Sequence, residues 1–70
     1  MLRQWSDYLA AIDSYATAIR LDPEYSEAFY NRGLVNLMSH RYELGCEDLI
    51  EAERLGYTKA SLKRKAFCGY

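Results

Sequence analysis

Offset by 34 residues, the chain aligns with itself. Tyr8 falls on Tyr42, Ala18 on Ala52, Arg20 on Arg54 and Leu21 on Leu55. Between them Ala11 meets Gly45, Asp13 meets Glu47, Ser14 meets Asp48 and Tyr15 meets Leu49. A fixed period of about 34 residues marks stacked supersecondary units, each unable to bury its apolar face alone. The functional question therefore moves from catalysis to the surface that such a stack presents.

Within each period the apolar spacing is helical. Tyr8, Ala11, Ile12, Tyr15, Ala18 and Ile19 fall at i, i+3, i+4 and i+7 over residues 6–21, one face of an α-helix. Ser6 or Asp7 can cap its start, and Asp22-Pro23 ends it. A second helix is predicted over 26–39, with Phe29, Gly33 and Asn36 along one stripe. Gly33 there costs helix propensity, up to about 1 kcal/mol, and implies that another helix backbone comes close. The third helix, 42–55, stops at Gly56, which suits a C-terminal cap. The fourth covers 58–68. With no strand-like alternation and a single proline, the chain reads as all-α, built of antiparallel helices joined by short turns.

Seventy residues bury a modest core, so a neighbouring unit or partner is expected to add to it. Half the residues are apolar and 27% charged, which excludes a disordered chain. A net charge of −1 argues against a nucleic-acid surface across the whole domain. No stretch of about 18 apolar residues is available to span a membrane. The opening MLRQWSDY lacks the pattern of a secretory leader, which favours a cytoplasmic setting. Of the seven tyrosines, Tyr8, Tyr15 and Tyr42 are expected to serve as packing rings between helices.

The spacing resembles the tetratricopeptide repeat. Phe29 and Gly33, in the stretch Tyr30-Asn31-Arg32-Gly33, resemble the first helix of such a repeat. Tyr42, Gly45, Leu49 and Ala52 fall where the second helix expects aromatic, small, large and small residues. The unit before supplies Tyr8, Ala11, Tyr15 and Ala18, closed by Leu21-Asp22-Pro23. The pattern is broken where His40-Arg41 replaces a Gly-Asp turn, Tyr57 replaces the closing proline, and Phe67 takes a glycine position. The resemblance implies a TPR-like short α-solenoid of stacked antiparallel hairpins. It divides the chain into a partial first repeat (1–23), a complete repeat (24–57) and a C-terminal capping helix (58–70), the end piece of an array. Residues 1–5 then read as the remnant of a preceding helix. The apolar stripe of the first predicted helix calls for further repeats or a second copy to cover it.

The resemblance also implies a non-catalytic module that binds a peptide segment of a partner protein. Its concave surface would be lined by Glu27, Tyr30, Asn31, Leu34, Leu37 and Met38. Leu34, Leu37 and Met38 can equally be core. The alternative function is a structural one, self-association or capping of a larger scaffold. Some family members clamp a peptide's terminal carboxylates. Asn31 matches one clamp position and Lys65 a later basic one, whereas Ser61 stands where another basic residue would be. Lys59, Lys63, Arg64 and Lys65 make the last helix basic, opposite Glu43, Glu47, Asp48, Glu51 and Glu53, a pattern of screened surface pairs.

Cys46 and Cys68 each lie eleven residues from Tyr57, the centre of the turn between their helices. In an antiparallel hairpin equal distances put two side chains at the same height, so the thiols can be neighbours. We expect them reduced and partly buried. His40, alone and in a turn, offers no nucleophile–base pair with Cys46, and one His with two Cys lacks paired metal-ligand spacing. No catalytic residue, cofactor or metal is expected.

Overall fold

Asp22-Pro23, His40 and Gly56 punctuate four helices. A computed structural model describes residues 5–69, with α1 at Trp5–Leu21, α2 at Ser26–Met38, α3 at Tyr42–Arg54 and α4 at Thr58–Cys68. These bounds match the periodic stretches to within one residue, and no strand occurs among the described residues. Ser6 and Asp7 lie inside α1 instead of capping it, because Trp5 is already helical. Residues 1–4, the rest of the expected remnant, lie outside the described residues. The architecture is all-α: antiparallel hairpins stacked as a short solenoid.

The two α2–α3 and α3–α4 turns share one hydrogen-bond pattern. After α2 the His40 N–H donates to the Leu37 carbonyl at 3.1 Å and the Arg41 N–H to the Asn36 carbonyl at 2.7 Å. After α3 the Gly56 N–H donates to the Glu53 carbonyl at 2.9 Å and the Tyr57 N–H to the Ala52 carbonyl at 3.0 Å. Both are Schellman closures, which need a left-handed residue in the middle. Gly56 supplies it at φ 97° without a Cβ, whereas His40 adopts φ 67° at a cost of about 1 kcal/mol. The entries to α2, α3 and α4 have no side-chain cap, and Thr58 opens α4 instead of capping it. Packing, more than capping, therefore sustains these short helices.

That packing centres on α2 against α3. A Cβ on Gly33 would lie 3.0 Å from the Gly45 carbonyl oxygen, and one on Gly45 would lie 2.9 Å from the Gly33 carbonyl oxygen and 2.8 Å from Leu37 Cγ. The two backbones touch, as Gly33 led one to expect. Beside this contact Asp48, 7% exposed, accepts from Arg32 Nε at 3.0 Å, Arg32 Nη2 at 2.8 Å and Asn36 Nδ2 at 2.9 Å. Leu49 and Ala52 of α3 and Ala60 of α4 are fully buried, walled by Phe29, Tyr30, Leu34, Leu37, Tyr57 and Cys68. Anchoring thins toward both ends. α1 has no buried residue and α4 only Ala60. Tyr8 and Tyr15 are half-buried, but Tyr42, expected to pack between helices, is 56% exposed, its hydroxyl 2.8 Å from His40 Nδ1.

α4 is also tied by Arg64, whose Nε and Nη2 donate to Glu53 at 2.6 and 3.2 Å. The Arg64 hydrogen bonds, then one from Ser61, hold the Glu53 carboxyl below its ordinary value of 4.5. Asp48, expected to face the basic last helix, is instead spent on Arg32 and Asn36.

Gly45→Ala is expected to destabilise the fold by about 1–2 kcal/mol, overpacking against the Gly33 backbone outweighing the gain in helix propensity. The denaturant midpoint measures this, and an unchanged or higher midpoint would refute the backbone contact. Because the Glu53 pKa is lowered in the folded state, its stabilisation is complete above the unfolded value and lost as pH falls through the folded one. The difference in melting temperature between wild type and Glu53→Gln should therefore hold constant near neutrality and shrink in acid below 4.5. A difference independent of pH across that window would contradict the pairing.

Candidate functional site

α2 and α4 together make one face of the stack. That face is not closed. Leu34, Leu37 and Met38 of α2 face Lys63 and Phe67 of α4 across a groove of about 560 Å³, with His40 and Tyr42 at one end. Near the start of α4 the face is bridged by Tyr30 and Tyr57, whose ring centroids are 4.8 Å apart.

The groove combines a packed floor with an exposed rim. Leu34 and Leu37 are half-buried against the core, so their outer faces form the floor. Met38 and Phe67 are 49% and 60% exposed. The Lys63 ammonium sits 5.8 Å from the Phe67 ring centroid, and that cation lies beside otherwise apolar walls. Such a surface can bury a large apolar side chain and favour an acidic neighbour.

Of the residues read from the sequence as a binding surface, Leu34, Leu37 and Met38 line this groove. Tyr30 is half-buried and packs against Tyr57 and the core, Asn31 is half-buried, and Glu27 is exposed in the first turn of α2. His40, Tyr42, Lys63 and Phe67 were missed as lining residues. The reason is register. α2 begins at Ser26 and α4 at Thr58, an offset of 32, and the buried alanines Ala28 and Ala60 keep the same offset. Lys63, not Lys65, is thus level with Asn31, and Lys65, not Phe67, takes the place of Gly33. The fully buried Ala60 was the signal that could have set this register.

Cys46 and Cys68 are joined by a disulfide, with Cα atoms 5.9 Å apart. The equal spacing about Tyr57 did place them at one height, but the expectation of reduced thiols is corrected. A second, smaller cleft of about 250 Å³ lies on the α1/α3 side, among Ile12, Arg32, Asn36, Arg41, Leu44, Glu47 and Asp48. The polar groups of Arg32, Asn36 and Asp48 in it already satisfy one another, and the Arg41 guanidinium stacks 4.8 Å over the Trp5 ring. Among the described residues no group of three or more His, Cys, Asp or Glu is placed to hold a metal ion. No described helix is long and apolar enough to cross a membrane.

A family model for the TPR repeat matches residues 1–39, more than half of the chain. No curated protein and no solved structure matches. TPR repeats generally serve as non-catalytic modules of protein–protein interaction. The matched segment takes in the first described hairpin, α1 with α2, and a second helical pair, α3 with α4, follows it. The chain belongs to the tetratricopeptide repeat family.

Proposed function

We propose that the chain binds a peptide segment of a partner protein in the groove between α2 and α4. The observation that carries this reading is the pair of exposed apolar side chains, Met38 and Phe67, facing each other over a floor of Leu34 and Leu37. A partner segment sets one or two large apolar side chains between them, each contributing about 1.5–3 kcal/mol when fully buried. Lys63 favours a carboxylate next to that anchor. Asn31 and Glu27, one and two turns back along α2, extend the surface, whereas Tyr30 acts through its packing with Tyr57. The role is one of docking and needs no catalytic group or cofactor.

Peptides selected from a random display library on the wild-type chain test this. Met38→Glu and Phe67→Ala each should weaken selected peptides at least about tenfold, with the helical circular dichroism spectrum unchanged. Peptides that bind both variants as tightly as wild type would remove the groove as the site.

A second reading, self-association through α1, is favoured by one observation. None of the seventeen residues of α1 is buried, and Trp5, Leu9 and Leu21 are 52%, 39% and 80% exposed. Trp5 and Leu9, four residues apart, share one face of α1, and a second copy laid along it would cover them. Sedimentation at high micromolar concentration is expected to show a dimer that Leu9→Glu dissociates; a monomeric wild type would end this reading.

A further inference from the structure

We propose that the Cys46–Cys68 disulfide is a redox latch: it holds the last two turns of α4, and with them the Phe67 wall of the groove, and a dithiol reductant releases them. α4 is the least buried helix that the groove depends on. Its only buried residue, Ala60, lies in its first turn, while Leu62 and Phe67 are 72% and 60% exposed. Eleven residues are too few to hold helical structure in water unaided.

The ties along α4 are ordered. Tyr57 packs on Tyr30 just before the helix, Arg64 pairs with Glu53 in its middle, and Cys68, its last residue, is bonded to Cys46. Between the last two ties Lys65, Ala66 and Phe67 are all exposed. Lys59, Lys63, Arg64 and Lys65 carry like charge with no acidic residue on the helix, which adds repulsion once the end is free. Without the covalent tie, the distal turns depend on the Arg64–Glu53 pair and on part-buried packing.

The two sulfurs differ in access. Cys46 is 8% exposed in α3, whereas Cys68 is half-buried on the outer helix. A thiolate of the dithiol attacks Cys68 Sγ, the S–S bond breaks, and its electron pair leaves on Cys46 Sγ, which takes up a proton. The second thiol of the reductant attacks the mixed disulfide and frees Cys68, which is protonated in turn. The chain gains two thiols, and the reductant leaves as its own disulfide, a balanced two-electron exchange. Phe67 is next to Cys68, so release of the latch takes one wall from the groove while Ala60 keeps the first turn on Leu49 and Ala52. The effect on partner binding rests on the groove being the docking face; the release of α4 does not.

Hydrogen exchange by mass spectrometry on the air-oxidised chain, the same chain in dithiothreitol, and Cys46→Ser/Cys68→Ser tests the latch with no peptide present. Reduction should speed exchange of the amides of residues 65–68 at least about tenfold, with α2 and α3 changed by less than about threefold. The double variant should match the reduced pattern with or without dithiothreitol. Unchanged exchange in residues 65–68 would overturn the proposal. So would equal loss of protection in α2 and α3, which marks a global staple, or alkylation of both cysteines in the oxidised chain. A selected peptide, added second, should bind the reduced chain more weakly; if no peptide uses the groove, the exchange result still stands or falls alone.

Discussion

Everything in the stack is positioned by the contact of two glycines. Gly33 and Gly45 bring the backbones of α2 and α3 together, each lacking the Cβ that would strike the other's carbonyl oxygen. At that separation Asp48, one turn along α3, reaches both Arg32 and Asn36 on α2, and Leu49 beside it is fully enclosed. Leu37 lies over Gly45 and so becomes both core wall and groove floor. A wider spacing would strand a buried carboxylate without its partners, and an unpaired buried charge is among the costliest defects a small core can carry.

From that centre the structure weakens in both directions, as a quasi-one-dimensional stack does when each unit contacts only adjacent units. α1 contributes half-buried rings and small residues but nothing enclosed. α4 buries one alanine and relies on an aromatic contact, an ion pair and a covalent bond. The disulfide thus stands at the end of a helix with little apolar burial, and it joins residues 22 apart in sequence. A covalent bond there holds the end of α4 against local release, which no single exposed contact of that helix does.

Much of this was legible from residue spacing because the signals were local. The 3.6-residue period, Asp22-Pro23 and Gly56 fixed the helices, and a glycine inside α2 announced a close helix. Lys63 and Phe67 were not legible as groove walls, since α3 ends one residue before the position that a 34-residue offset from α1 gives, and the turn over 55–57 is one residue shorter than that over 22–25. A fixed 34-residue offset carried past that turn misplaces every side chain of α4 by two positions, just over a half-turn. Asp48 was read as part of an acidic face toward α4 because charge counts along a helix say nothing about which neighbour is near. The cysteines were placed at equal height by symmetry about the turn, but whether two adjacent sulfurs are bonded is not written in their spacing.

The groove therefore has one wall set by the closest helix contact in the molecule and one set by a helix with a single buried residue. Leu34 and Leu37 are held by the α2–α3 contact, whereas Phe67 follows wherever the end of α4 goes. A ligand that touches Met38 and Phe67 together binds only the docked arrangement of α4. Its binding and the docking of α4 are then linked equilibria, each favouring the other by the same free energy. Ordering the far wall before a partner arrives spares the partner that cost, and a covalent tie at the last residue of α4 orders it with almost no apolar burial. In this arrangement Phe67 remains exposed for a ligand to cover, which a wall held by its own buried side chains could not offer.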